Sequence, residues 1–342
     1  MDQIKLTPGK LLNVYGNLNE AGYATSLVKE YHRHDIKAKK LRIKEWDYYY
    51  IGNQEYGIAL TIADNSYMGL GSVSVLDFKN DFWHTNSVMT FMPKGKTNLP
   101  STSEFGDCHF KSKNLELSFF NDGKKRRLLC KMKNFYKKYD FSCDVELYDE
   151  PKESMVIATP FNKKKHFYYN QKINCIRVSG NATVGGKKYF FNGNDSFAVL
   201  DWGRGVWTYK NTWYWSSLSG TYNGKKIGFN LGYGFGDTKN ATENMIFYDG
   251  KAYKVEQVTF HIPTNSDGIE EYLNNWKFSS SDNKVNLTFE PIFDRYDKAD
   301  VLLIKSIQHQ VFGKFSGTLK IGEETIEIKD LVGFAEKVTN HW

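Results

Sequence analysis

Residues 201–243 read DWGRGVWTYKNTWYWSSLSGTYNGKKIGFNLGYGFGDTKNATE, and the middle of this stretch decides the fold. Two runs rich in aromatic and apolar residues, 213–222 and 226–233, lie on either side of Asn223-Gly224. Aromatic and β-branched side chains favour strands. Asn-Gly between two such runs is a strong hairpin signal, because a type I′ turn needs positive φ at both central residues. The stretch therefore predicts an antiparallel β-hairpin.

The same pattern extends outward along the chain. From residue 41 to residue 91, short aromatic or β-branched runs end in Gly, Asn or Asp, as in a β-meander. Further hairpin turns are predicted at Asp122-Gly123, Gly185-Gly186 and Asp249-Gly250. Helical patterns are short and occur at 21–31 and 269–275. The chain is therefore predicted to be all-β, with two antiparallel barrels or sandwiches and few short helices.

The length of the chain favours two domains. A chain of 342 residues exceeds the size at which a single hydrophobic core usually stops growing. Composition turns polar and basic around 151–165, and prolines interrupt the pattern there. We expect an N-terminal β-barrel domain of residues 1–170 and a C-terminal β-barrel domain of residues 171–342 that carries the DWGRG segment. The terminal Trp342 is expected to pack against its domain.

Composition and charge argue against several classes of partner. The formal net charge of +7 is mild for this length, and no nucleic-acid-binding motif accompanies the basic residues. No apolar run reaches the roughly 18 residues that a membrane helix needs, and the first residues lack the apolar segment of a signal peptide. The four cysteines fit no metal-binding spacing. We expect a cytoplasmic protein with free thiols and without nucleic-acid partners.

Acidic and aromatic residues alternate in the segment that begins at Glu45. On a strand, Glu45 and Asp47 share one face, and Trp46 and Tyr48 share the other. If the aromatic face is the core, the acids are exposed to solvent. If Glu45 instead points into a barrel, loss of solvation favours its protonated form, which suits a general acid. Both alternatives stay open, and Trp46 and Tyr48 are candidate ligand-binding residues.

The DWGRG segment at 201–205 has neither a helical nor a strand pattern. Two glycines around Arg204 predict a tight loop that presents the guanidinium group. Asp201 is then a candidate proton donor or base, and Arg204 a candidate anchor for a carboxylate, phosphate or enolate. The alternative is a buried ion pair between the two residues that closes the mouth of a barrel.

The aromatic and polar residues around this segment are candidates for a ligand pocket. Ordinary core packing is the alternative for the tryptophans. The alternating glycines of 232–236 lack the GxGxxG spacing of a nucleotide loop, and in a strand they indicate close approach by another backbone or a ligand. The candidate ligand-binding residues are Trp202, Trp207, Trp213, Trp215, Asp237, Glu243 and Asn244.

Several long motifs resemble the DUF2804 family, bacterial proteins named for a domain of unknown function. The resemblance runs nearly end to end, and the matching stretches are RIKEWDYYYIG (42–52), IADNSYMG (62–69), LDWGRGVWTYKNTWYW (200–215), NLGYGFGDTKNATEN (230–244), FGKFSGTL (312–319) and LVGFAEKVTNHW (331–342).

A looser resemblance connects the chain with carotenoid 1,2-hydratases, AttH-like proteins and some fungal cyclases. That group shares a two-domain, lipocalin-like β architecture, with an EWWY-type motif in the first domain and a D-x-x-W-G-type motif in the second. Here Glu45-Trp46 fits the first motif, but Asp47 replaces the second Trp. Asp201-Trp202-Gly203 fits the second motif without the two intervening residues. The resemblance implies two lipocalin-like (calycin) barrels and a site that faces an apolar ligand.

These observations support three hypotheses about function. The first is a cofactor-independent hydratase, isomerase or lyase that acts on a lipid- or isoprenoid-like molecule, with acid–base catalysis by Asp201 or Glu45. The second is a carrier or sensor that binds a hydrophobic ligand without turnover. The third is a structural module with filled barrels. No metal or cofactor is expected, and the sequence leaves the oligomeric state open.

Overall fold

The structure is a computed structural model that describes residues 2–301 and 304–341. Trp342 lies outside the described residues. The first fifteen strands are β1 (Gly9–Lys10), β2 (Gly22–Ala24), β3 (Lys29–Glu30), β4 (Ile43–Gly52), β5 (Tyr56–Asp64), β6 (Met68–Asp77), β7 (Phe82–Phe91), β8 (Cys108–Lys111), β9 (Leu115–Asn121), β10 (Arg126–Tyr136), β11 (Tyr139–Tyr148), β12 (Met155–Pro160), β13 (Phe167–Val184), β14 (Lys187–Phe191) and β15 (Phe197–Val206).

The remaining strands form a second large sheet. They are β16 (Lys210–Tyr222), β17 (Lys225–Tyr233), β18 (Met245–Tyr248), β19 (Lys251–Lys254), β20 (Val258–His261), β21 (Trp276–Ser280), β22 (Val285–Val301), β23 (Ile304–Ile321) and β24 (Glu324–His341). The chain thus passes from the first large sheet to the second between Val206 and Lys210. The domain division at residue 170 stays a prediction.

The all-β prediction is confirmed. Both large sheets are antiparallel and curl into half-barrels. Within the described residues they contain 13 and 9 strands, and β1 and β3 form a small separate sheet. The described helical segments are two 3₁₀ turns, Arg33–Asp35 and Lys40–Arg42. The predicted helices at 21–31 and 269–275 are wrong: the first segment forms β2 and β3, and the second contains turns and a β-bridge. Helices this short are marginal without strong packing.

The predicted hairpin turns are confirmed. Asp122-Gly123 joins β9 to β10, Gly185-Gly186 joins β13 to β14, and Asp249-Gly250 joins β18 to β19. Between β16 and β17, Asn223 has φ of 48° and Gly224 has φ of 76°. Both values lie in the left-handed region that a type I′ turn requires.

The expected loop at 201–205 is wrong, because this segment is the second half of strand β15. In the first sheet β15 lies between β4 and β13. Its glycines serve contact between neighbouring strands: a Cβ at Gly203 would overlap the indole of Trp46, and a Cβ at Gly205 would overlap the backbone of Phe167. Glycine is therefore needed here for close approach within a sheet.

Alternation along the strands gives the first sheet two buried faces. One face packs into the core of the first half-barrel through residues such as Tyr49, Leu200 and Trp202. The opposite face turns toward the second sheet, whose own core lies farther away and includes Phe229 and Phe289. The residues between the sheets form two smaller apolar clusters around an internal cavity.

Candidate functional site

A cavity of about 780 Å³ lies between the two sheets. This volume is within the usual range for small-molecule sites. Its wall is rich in aromatic rings, and Trp207 and Trp213 both contact Phe235 edge-on, at 5.4 and 5.2 Å between ring centroids. The aromatic residues of the wall are Trp46, Tyr48, Trp83, Tyr168, Trp207, Trp213, Trp215, Phe235 and Tyr296.

The first sheet forms one wall of the cavity, and a row of polar residues runs across its neighbouring strands on this wall. In the strand register, Lys172 on β13 pairs with Asp201 on β15, and Asp201 pairs with Tyr48 on β4. Directly opposed residues on neighbouring strands project from the same face of a sheet. The row therefore continues through the next residues in register, which also line the cavity: Thr61, Ser72 and Ser87.

The second sheet contributes a matching row. Arg295 on β22 pairs with Gln310 on β23, Gln310 pairs with Glu336 on β24, and Glu336 pairs with Trp215 on β16. The next position is Gly232 on β17. A Cβ there would overlap the carboxyl group of Glu243, so the glycine leaves room for that side chain at the cavity. The two rows thus bring polar groups from distant strands to one cavity.

Asp201 is buried on the cavity wall. Its Oδ1 accepts a hydrogen bond from Asn170 Nδ2 at 2.5 Å. Burial raises the pKa of Asp201 above its usual value, although the charge of Lys172 and hydrogen bonds from Asn170 and Trp46 oppose the rise. A carboxyl group in such surroundings changes its protonation state more readily near neutral pH than an exposed aspartate does.

Lys172 lies opposite Asp201 and is 4% exposed. Its Nζ is 3.2 Å from Glu243 Oε2 and 4.2 Å from the centre of the Trp215 ring. Burial acts to lower the pKa of Lys172, but the charges of Asp201 and Glu243 hold it above its usual value. Lys172 is therefore a cation at neutral pH and stabilises the ionised forms of its acidic neighbours.

Glu336 is the carboxyl group that the second sheet presents to the cavity. Its Oε1 accepts a hydrogen bond from Trp213 Nε1 at 3.0 Å, and its Oε2 accepts one from Gln310 Nε2 at 2.9 Å. Burial raises the pKa of Glu336 from 4.5 to about 7, against the opposing effects of these hydrogen bonds and of the charges of Lys172 and Arg295. Both protonation states are therefore populated at neutral pH.

Glu45 and Arg204 lie on the opposite face of the first sheet, away from the cavity. Glu45 accepts a hydrogen bond from Tyr31 Oη at 2.6 Å and is ion-paired with Arg33. Glu45 thus points into the first half-barrel, as the second alternative has it, but it is ion-paired there and does not reach the cavity.

The partner of Arg204 is Asp47 rather than Asp201. Arg204 Nη2 is 2.9 Å from Asp47 Oδ1, and the guanidinium lies 4.2 Å from the Trp202 ring. Arg204 also donates to the carbonyl oxygens of Trp46 and Pro100. Trp202 itself belongs to the core of the first half-barrel. Arg204 thus connects β15 with β4 and with the loop at Pro100, on the side of the first sheet that faces away from the cavity.

The structure places the other predicted site residues in two groups. Asp237 is exposed after β17, where its backbone N–H donates to Pro160 O, and it does not line the cavity. Asn244 is buried, accepts a hydrogen bond from Gly232 N and donates to Glu256 O, so it holds the chain that carries Glu243. The predicted residues that do line the cavity are Asp201, Trp46, Tyr48, Trp207, Trp213, Trp215 and Glu243.

Comparison with known proteins establishes the family. The family model described as "Domain of unknown function (DUF2804)" matches residues 2–342. The chain belongs to this family. No curated protein sequence matches the chain.

Three solved structures are similar to this chain. An AttH candidate from Nitrosomonas europaea matches with a TM-score of 0.52 and 10% identity, over 86% of this chain and 92% of the other. Kievitone hydratase from Nectria haematococca matches with a TM-score of 0.47 and 12% identity, over 98% of both chains. CghA matches with a TM-score of 0.43 and 8% identity, over 97% of both chains. The first likeness confirms the lipocalin-like fold and shows the fold alone.

Among residues 2–301 and 304–341, no group of three or more His, Cys, Asp or Glu side chains has an arrangement that would hold a metal ion. In the same part of the chain, no helix has the length and apolar character to cross a membrane.

Sequence reasoning missed Lys172, Glu336, Gln310 and Arg295. A signal for Glu336 exists, because it shares its strand face with Phe334 and Val338, and a carboxyl group within an apolar face is unusual. Lys172 has no comparable local signal. Its position depends on the register between β13 and β15, which includes a β-bulge between Ile173 and Ile176.

Proposed function

We propose that this protein is an enzyme that adds water to, or removes it from, a small molecule with an apolar body, by acid–base catalysis in the cavity between the two sheets. The observation that carries the proposal is Glu336, a buried carboxyl group on the cavity wall with a pKa raised to about 7. It shares the cavity with Asp201, a second buried carboxyl group contributed by the other sheet. General acid–base catalysis needs groups that exchange protons near the working pH.

The two carboxyl groups take complementary roles in this proposal. Glu336 in its protonated form transfers a proton to one carbon of a substrate double bond. Water attacks the other carbon through its oxygen, and the Asp201 carboxylate accepts the proton that this water loses. The net change is addition of one water molecule, and the reverse sequence removes it. Proton exchange with solvent returns Asp201 and Glu336 to their starting states.

The surroundings support the two roles by separate means. Lys172, opposite Asp201 in the strand register, favours the carboxylate that acts as base. The rings of Trp213 and Trp215 line the cavity near Glu336, and because Lys172 already lies over the Trp215 ring, Trp213 is the ring that supplies an electron-rich face to positive charge that develops on a protonated carbon. The same rings favour a lipid- or isoprenoid-like body over a strongly hydrated one. The same acid and base also suit migration of a double bond.

A carrier of a hydrophobic ligand is the second candidate, because the aromatic wall alone would serve binding. The buried charges separate the two candidates. A carrier has no need for Lys172, Asp201 and Glu336 in one apolar cavity, and burial of such groups is unfavourable unless they are used or fully paired.

The test begins with a molecule that co-purifies with the protein. Native mass spectrometry detects it, and solvent extraction followed by mass spectrometry identifies it. The molecule and its hydrated or dehydrated counterpart are then incubated with the protein in H₂¹⁸O. Wild-type protein should convert one into the other with incorporation of label. Asp201→Asn and Glu336→Gln should each lower the rate by about 100-fold or more while the molecule still binds.

Glu327→Gln is the matched control, because Glu327 is an exposed carboxyl group on the same strand as Glu336. It should leave the rate unchanged. Recovery of the molecule unchanged from wild-type protein, with no label incorporated in either direction, would reject the enzyme and favour the carrier.

A further inference from the structure

Arg295 on β22 extends from the second sheet to the first at one end of the cavity. Its Nη1 donates hydrogen bonds to Ser74 Oγ at 2.7 Å and to Thr85 Oγ1 at 3.4 Å. These two hydroxyl groups are themselves 2.8 Å apart on neighbouring strands β6 and β7. The guanidinium group is therefore held in place by neutral oxygen atoms at the wall of the cavity.

The positive charge of Arg295 has no carboxylate partner within 4.0 Å among the residues that the structure describes. Two other arginines differ in this respect, since Arg204 is paired with Asp47 and Arg33 with Glu45. In the described part of the chain, Arg295 Nε is buried without a hydrogen-bond partner. An arginine whose positive charge lacks a carboxylate partner can bind an anion through the N–H groups that remain accessible.

Nη2 is the part of the Arg295 guanidinium that is available to a ligand, because Nε is enclosed by protein atoms. Nη1 makes the hydrogen bonds to Ser74 and Thr85, and no bond from Nη2 to a described side chain or carbonyl accompanies them. Nη2 can therefore donate a charge-assisted hydrogen bond to a carboxylate oxygen. Hydroxyl groups extend this end of the cavity through Ser72 and Ser87, 2.8 Å apart.

We propose that the cavity binds an amphipathic organic acid, with its carboxylate on Arg295 and its apolar body against the tryptophans at the other end. The inference rests on the proposed function for what happens to the bound molecule. It changes the expected ligand from a wholly hydrophobic molecule to one with an anionic end.

The strand register also relates the anchor to the proposed acid. Arg295, Gln310 and Glu336 lie on three successive strands of one row. Strands are about 4.8 Å apart, so the backbone positions of Arg295 and Glu336 are separated by roughly 10 Å. The carbon that receives a proton from Glu336 therefore lies several bonds away from the carboxylate. A long-chain or polycyclic acid meets this requirement, and a short acid such as acetate does not.

The test compares acids with alcohols of the same chain length. Octanoate, decanoate and dodecanoate are titrated beside octan-1-ol, decan-1-ol and dodecan-1-ol, with affinity measured by isothermal calorimetry and by tryptophan fluorescence. Wild-type protein should bind the acids at least about tenfold more tightly than the alcohols, because a charge-assisted pair is lost with the alcohols. Arg295→Gln should lower affinity for the acids by about tenfold or more and change affinity for the alcohols by less than about twofold.

Two further variants keep the result interpretable. Lys298→Gln removes an exposed charge from the same strand and should leave both series unchanged. Arg295→Lys keeps the positive charge without the planar guanidinium group and should restore part of the preference for acids. If wild-type protein shows no preference for acids, or if Arg295→Gln weakens both series equally and Arg295→Lys recovers no preference, the inference is overturned.

Failure of this inference and failure of the proposed function give different results. The inference alone fails if turnover depends on Asp201 and Glu336 while acids and alcohols bind alike. The proposed function alone fails if Arg295 selects acids while bound molecules are never converted.

Discussion

Replacing Glu336 by glutamine should make the protein more stable at high pH. Folding raises the pKa of Glu336 from 4.5 to about 7, so the folded chain retains a proton that the unfolded chain has already lost between these values. Stability therefore falls as pH rises through this interval, and the loss is complete above the folded pKa. The size of the rise corresponds to a loss of about 3 kcal/mol. Glu336→Gln is uncharged at every pH and should avoid it.

The neighbours of Glu336 can accommodate the amide. Trp213 Nε1 keeps an acceptor oxygen, and Gln310, whose Oε1 is buried without a partner in the described part of the chain, can rotate its amide to accept the new N–H. The variant should therefore gain up to about 3 kcal/mol over wild type at about pH 8.5, relative to their difference at pH 4.5. Urea unfolding measures both differences, with Glu327→Gln as control. A difference between variant and wild type that stays constant with pH would refute the reasoning.

Three further predictions concern the packing and pairing around the cavity. Gly203→Ala should push the Trp46 indole out of place and lower stability by about 1–3 kcal/mol in urea unfolding; an unchanged midpoint and fluorescence spectrum would contradict this. Arg204→Met should lower stability by about 3–5 kcal/mol, because it leaves Asp47 buried without its partner. Adding Asp47→Leu should recover part of that loss, and strictly additive losses would argue against the pair. Lys172→Met removes the cation that favours ionised Asp201, so its melting temperature should fall further below wild type at about pH 8 than at about pH 5; equal deficits at both values would reject this role.

The strands and turns of this fold are predictable because their signals are local. Asn223-Gly224 supplies the positive φ values that its hairpin needs, and the flanking runs supply the residues that favour strands. The DWGRG segment is misleading for the same reason. In the local sequence, Gly203 and Gly205 resemble loop residues. In the structure they permit close contact with Trp46 and Phe167 on neighbouring strands, which local sequence does not reveal. Long-range pairing therefore decides the structure of this segment.

The site is only half predictable for a related reason. Alternation correctly places Glu45 and Trp46 on opposite faces of β4. Because the Glu45 face is buried and the Trp46 face is half-buried, alternation alone does not identify the face that lines a cavity. Asp201 is found because it lies among tryptophans in the sequence. Lys172 lies 29 residues before Asp201 (201 − 172) and Glu336 lies 135 residues after it (336 − 201). The register of the strands brings both residues to the same cavity.

The charged residues of this protein divide into those that stabilise the fold and those that face the cavity. Glu45, Asp47 and Arg204 are buried within the first half-barrel. Asp47 pairs with Arg204, and Glu45 pairs with the partly exposed Arg33. A buried ion pair contributes little net stability compared with apolar residues of similar volume, but it is satisfied. The cavity groups differ, since Glu336 retains its proton up to about pH 7 and Arg295 has no carboxylate partner among the described residues. A carboxyl group with a raised pKa and an arginine without a carboxylate partner are unfavourable for folding in an aromatic cavity. A role in ligand binding or in catalysis explains why the cavity contains them.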